Sequence, residues 1–268
     1  MTESEKFVHK PQDLLSEMRD RVQVLTINRP ESYNSWTSAL RDELGRRLLA
    51  ADMDANVDAV VLTGAGDRAF CSGQDLAELQ EFADGGSIEP WLQRLVTCYD
   101  AVRQFSKPLV AAINGVAAGS GFQVTQFCDY VIAHPDVRVG QTEVNSGLPS
   151  VFGTWLMWER IGRRAIELAL QGRLMGVEEA KQLGFIQEIA QKSEVLETAL
   201  NAARRLSSKP RVAYKLSKSA NWQFDEQRYT AAMKMAATAY REAFNTGAPQ
   251  TEIGEFFKRR RIRKPIPT

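Results

Sequence analysis

Histidine is almost missing from this sequence: His9 and His134 are the only two in 268 residues. A Ser-His-Asp relay would have to run through one of them, and neither sits near a plausible nucleophile motif. No cluster of His, Cys, Asp and Glu has metal-ligand spacing, so no metal site is expected. The three cysteines, Cys71, Cys98 and Cys128, share no motif spacing. They read as reduced thiols, with neither a disulfide framework nor a metal knot. No G-x-G-x-x-G follows a strand, which sets a nicotinamide cofactor aside. No run approaches the roughly 20 apolar residues of a membrane helix. The opening Met1 to Lys6 is acidic and lacks the apolar core of a secretory signal. A net charge of +1 supplies no overall field for nucleic acid or anionic lipid. The expectation is a cytoplasmic protein with no nucleic-acid and no membrane partner.

What is present is an ordinary globular balance, 44% apolar and 25% charged, enough for a sizeable core. Length alone permits one large domain or two small ones. Val22 to Ile27 is a β-rich run ended by Asn28-Arg29-Pro30. Leu40, Leu44, Leu48 and Leu49 recur at helical spacing between Trp36 and about Asp52. Ala59 to Thr63 and Pro108 to Ile113 are continuous apolar runs, each closed by a glycine turn, and Tyr130 to Ala133 is a third. Buried strands alternating with helices predict an α/β protein with helices covering its sheets. Beyond about Glu194 only helical pattern remains: Val195 to Leu206, Tyr229 to Phe244 and Gly254 to Arg263. The basic run Lys258 to Lys264 reads as a solvated end or as a clamp for a phosphorylated ligand.

Three segments are candidates for chemistry. In Phe70-Cys71-Ser72-Gly73-Gln74-Asp75-Leu76 a strand leads through small residues to a helix start, where unpaired N–H groups point outward. The plainer reading is a tight turn with Asp75 as cap. Gly115 to Gln123 repeats the corner, with a helix over roughly Gly121 to Cys128. Two such corners side by side would aim two amides at one oxygen, the geometry that stabilises charge developing on a carbonyl. The third segment, Gly140 to Ser150, carries one carboxylate, Glu143, in weakly charged surroundings. Partial burial would raise its pKa toward neutrality and suit it to proton transfer. A capping or ion-paired glutamate is the alternative.

Taken together, Asn28-Arg29-Pro30, FCSGQDL, INGVAAGSGF and TEVNSGLP resemble in order and spacing the crotonase (enoyl-CoA hydratase/isomerase) family. The likeness runs from Asn28 to the Phe256 region. It implies a spiral of ββα repeats binding an acyl-CoA over residues 1–205. A helical oligomerisation region over 206–268 would follow, in a homotrimer or a hexamer built as a dimer of trimers. It implies an oxyanion hole from the Gln74 and Ser120 amides, with no prosthetic group, and coenzyme A as part of the substrate. Ser32, Ser72, Gln74, Asp75 and Leu76 would follow the adenine and pantetheine path, and Phe256 and Arg259 would touch CoA, often across a subunit boundary. Glu143 matches the second of the hydratases' two glutamates, whereas the first is replaced by Gln123, which cannot exchange a proton as a carboxylate does. Glu31 is acidic where a basic residue often meets the CoA phosphates. Hydration, double-bond isomerisation and cleavage of an aromatic enoyl-CoA such as feruloyl-CoA therefore stay open. So do a non-catalytic CoA-ester binder and, on the same fold, a Clp-type serine peptidase using Ser120.

Overall fold

The structure, a computed structural model, describes residues 11–81 and 87–262, without the side chains of 11, 81 and 259–262. It opens with a hairpin, β1 (Leu14–Arg19) antiparallel to β2 (Val22–Ile27), turned at Asp20 in the left-handed region. The helix α1 (Ser38–Met53) follows, capped where Thr37 accepts the Leu40 N–H at 3.2 Å.

Three ββα turns come next. The strands β3 (Ala59–Gly64) and β4 (Ala69–Cys71) precede α2 (Leu76–Glu81) and α3 (Glu89–Gln104). After β5 (Leu109–Ile113) and β6 (Val116–Ala118) comes α4 (Ser120–Thr125). Last are β7 (Tyr130–Ala133) and β8 (Arg138–Gly140), with α5 (Val151–Ile161) and α6 (Arg164–Gln171). The remainder is β9 (Met175–Gly176), α7 (Val177–Gln182), β10 (Glu188–Ile189), α8 (Val195–Ser207), α9 (Arg211–Thr246) and α10 (Ala248–Ile262).

The first strand of each turn enters a six-stranded sheet, ordered β1-β2-β3-β5-β7-β10, and the second enters a four-stranded sheet, ordered β4-β6-β8-β9. Within them β3, β5 and β7 are mutually parallel, as are β4, β6 and β8. The expected spiral of ββα repeats is what the chain forms.

Burial explains the unbroken apolar runs. In β3 and β5 every residue is buried. Val61, Val110 and Ala112 face α8, whose Ala199, Ala202 and Ala203 let it lie close. Val60, Leu62 and Ile113 face the main core beneath α1 and α3. Strands covered on both faces have no polar side, hence no alternation. The edge strand β1 is the opposite case, with only Leu14 buried, and its sequence carries no strand signal.

The helix α9 is longer than its apolar pattern, which begins only near Tyr229. Its first half leaves Val212, Leu216 and Phe224 exposed, so no buried stripe marks it. It packs on α3 and α5, while α10 packs on α9, on α2 and on the 3-10 turn Glu143–Ser146. The chain passes from α8, which belongs to the sheet layers, into α9 at Ser208 to Pro210.

Truncating Leu62, 1% exposed, to alanine is expected to cost about 2–5 kcal/mol in urea unfolding. The same truncation at Leu49, 64% exposed, should change stability by less than about 0.5 kcal/mol. Equal losses at the two sites would contradict this placement of the core.

Candidate active site

Side-by-side pairing of β4 with β6 stacks the two small-residue corners that follow them. Gly73 takes a φ of +101°, and a Cβ there would lie 3.0 Å from the Ala118 carbonyl oxygen and 3.6 Å from the Ser120 nitrogen. Only glycine permits that approach. Trp36 pins the corners together. Its amide donates to Gly73, its carbonyl accepts from Asp75, and its indole donates to Ser120 Oγ at 2.9 Å. The Gln74 N–H is thereby skipped, and the Ser120 N–H is the first of α4, where no preceding turn can accept it. Among the described residues neither amide donates to another group.

Pairing of β6 with β8 brings the third corner alongside. Glu143, at its 3-10 turn, lies against Gly119, whose φ is +53° and whose Cβ would stand 3.3 Å from Glu143 Oε1. The carboxylate is buried, and desolvation is the main reason its pKa rises from an ordinary 4.5 to about 7. Hydrogen bonds oppose the rise without cancelling it. Gln123 Nε2 donates to Oε1 at 2.7 Å and Ser150 Oγ to Oε2 at 3.3 Å.

Two residues that carried no such expectation complete the arrangement. Tyr99, on α3, donates its hydroxyl to Gln123 Oε1 at 2.5 Å and so turns the Gln123 nitrogen toward Glu143. Gln141 is fully buried, with one terminal amide atom 2.8 and 3.0 Å from the two Glu143 oxygens and 3.0 Å from Gln123 Nε2. With nitrogen in that place, Gln141 donates to the carboxylate. With oxygen there, it accepts from Gln123 and from a protonated Glu143. One side chain thus offers a partner to either protonation state. Nothing local marks Tyr99, Gln141 or Trp36, because their contacts span 24, 18 and 84 residues.

The other expected ligand residues divide. Ser72 and Ser32 come together, Ser72 Oγ donating to the Ser32 carbonyl at 3.4 Å. Asp75 is turned inward: Arg29 lies 2.9 Å from its Oδ2, Ser35 donates to Oδ2, and Oδ1 accepts the Ala77 and Glu78 amides of α2. Its carboxylate caps the helix. Leu76 is half-buried against the main core. Phe256 is partly exposed on α10, the helix that reaches α2. The Arg259 side chain, like His9, lies outside the described residues. The Gln74 side chain accepts from buried Arg41. Ser120 has no imidazole beside it among the described residues, His134 being buried with Nδ1 on the Asp136 amide. Among the described residues no group of three His, Cys, Asp or Glu side chains could hold a metal ion. No described helix is long and apolar enough to cross a membrane.

A family model described as enoyl-CoA hydratase/isomerase matches residues 17–263. The chain belongs to that family. Among its curated relatives is the short-chain-enoyl-CoA hydratase of Clostridium acetobutylicum, 30% identical over 254 residues, covering 93% of this chain and 96% of that protein. Another is the 1,2-epoxyphenylacetyl-CoA isomerase of Escherichia coli K12, 34% identical over 215 residues, covering 77% and 80%. The fold is that of an enoyl-CoA hydratase/isomerase from Mycobacterium paratuberculosis, with a TM-score of 0.84 at 24% identity over 91% of this chain and 98% of that one.

The raised Glu143 pKa has a consequence for stability. The folded protein keeps this proton up to about pH 7, whereas the unfolded chain releases it near 4.5. Rising pH therefore removes stability between those values, roughly 3 kcal/mol in all, and the loss is complete above about 7. Urea unfolding at pH 5 and pH 8 is expected to show wild type losing ground to Glu143→Gln by that order. A pH-independent difference would mean that Glu143 titrates as an ordinary carboxyl.

Proposed function

We propose that this protein binds an acyl-CoA thioester, holds its carbonyl oxygen on the Gln74 and Ser120 amides, and moves a proton on the acyl chain with Glu143. The observation that carries this reading is the meeting of one buried carboxylate with two unpartnered amides across Gly73 and Gly119. Amides fixed before the reaction stabilise an enolate oxygen without reorganising. The names of the two relatives support a CoA ester as substrate. Ser32, Ser72, Leu76 and, from α10, Phe256 and Arg259 are the proposed flank of the CoA moiety.

With Gln123 in place of a second carboxylate, Glu143 is the one acid–base group, and isomerisation is the reaction it completes alone. Ionised Glu143 takes a C2 proton from a 3-enoyl ester, the electron pair passing through C1 to the carbonyl oxygen as a dienolate. Protonated Glu143 then returns the proton to C4 as the double bond settles between C2 and C3. No atom is gained or lost. A pKa of about 7 places both forms within reach at neutral pH.

Hydration is the second reading, favoured by the hydratase relative. Glu143 would then both activate water for C3 and protonate C2, the Gln123 amide orienting the water. Glu143→Gln should lower turnover roughly 10²- to 10⁴-fold, the usual size of general acid–base catalysis. The assay incubates the protein with a 3-enoyl-CoA and with crotonyl-CoA, separating products by mass. A variant within threefold of wild type would remove Glu143 from the mechanism, and a product heavier by one water would select hydration over isomerisation.

A further inference from the structure

Beside Gln74 and Gln123 the site opens on a cavity of about 30 Å³. Met233, Ala236, Ala237 and Tyr240 form one wall. They are positions i, i+3, i+4 and i+7 of α9 and therefore share a face. The facing wall is Leu92, Leu95 and Val96 of α3, on the face that carries Tyr99 one turn later. The two alanines provide the space, and the flexible Met233 side chain closes one wall. Among the described residues no Lys, Arg, His, Asp or Glu lines the cavity. Arg41, a buried cation behind Gln74, is already engaged with Gln74, Ser38 and Glu78.

We propose that this cavity seats the acyl tail, that it accepts an unbranched, uncharged chain of about four carbons, and that Met233, Ala236 and Ala237 set the limit. The assignment rests on the acyl-CoA reading above, which places C1 at the two amides and C2 at Glu143. Beyond C2 a cavity of about 30 Å³, roughly twice what one water molecule needs, holds about two more carbons. Each methylene that fits gains roughly fourfold in affinity, and each that does not must displace packed helix walls. A carboxylate at the tail would be buried with no partner.

The test measures calorimetric affinities of the full-length protein for acetyl-, butyryl-, hexanoyl-, decanoyl- and adipoyl-CoA. These saturated esters report the cavity without turnover. Butyryl-CoA should bind roughly tenfold tighter than acetyl-CoA, with no further gain at hexanoyl. Adipoyl-CoA should bind at least about tenfold more weakly than hexanoyl-CoA. Ala237→Leu is expected to erase the butyryl gain, whereas Met233→Ala should make hexanoyl-CoA the tightest by about fourfold. The opposite directions separate cavity size from general damage, and Met233→Ala decides if the leucine variant does not fold. Affinity rising steadily to decanoyl-CoA would overturn the limit, sending the chain past Pro149 into the larger apolar hollow of about 840 Å³ that Pro149 also lines. Adipoyl binding equal to hexanoyl would overturn the exclusion of charge. If the ladder holds but no enoyl ester is turned over, the proposed reaction fails while the acyl limit stands.

Discussion

Three very short parallel strands carry this architecture. Pairing of β4 with β6 and of β6 with β8 occupies only a few residues each. It nevertheless sets Ser72–Asp75, Gly119–Ser120 and the Glu143 turn side by side. Strands this short are not stable alone. The buried β3 and β5 and the largely buried β7 hold them in place, since each is joined through a tight turn to one strand of the small sheet. The large sheet supplies the stability, and the small sheet spends its backbone on aligning corners.

That alignment buries a carboxylate, which is unfavourable for the ionised form. The surroundings answer with neutral dipoles. Gln123, Gln141 and Ser150 touch Glu143, and among the described residues no cation does. A salt bridge there would drive the pKa down and fix the charge. Amides and a hydroxyl compensate part of the desolvation and leave a pKa of about 7. The nearby Arg41 charge is directed instead onto Gln74 and Glu78.

Much of the fold was legible because its signals are local. The runs at 59–64, 109–113 and 130–133 are apolar on both sides of the chain, and small-residue corners follow them. The β1 edge strand and the first half of α9 were not legible, because exposed segments need no periodic pattern. Within the candidate site, Glu143 could be nominated from its corner, and Gln74 and Ser120 from the family resemblance that the corners carry. Trp36, Tyr99 and Gln141 could not, since each gains its meaning only from a partner distant in sequence. Asp75 follows the plainer of its two readings: the resemblance implied a ligand contact, and its carboxylate caps the start of α2 beside Arg29.

Gln123 is where sequence and geometry together say more than either does alone. Read from the chain, it is a missing carboxylate. In place, its oxygen is held by Tyr99 and its nitrogen by Glu143 and Gln141. An ionised carboxylate at the same position would set a second negative charge within hydrogen-bonding distance of Glu143, and the pair would resist joint ionisation. The amide removes that coupling. Glu143 then titrates against burial and neutral dipoles alone, and a single proton can leave and return by the same oxygen. A site arranged in this way favours moving a proton along one substrate over sharing work between two acids, which is the physical reason the proposed function puts isomerisation ahead of hydration.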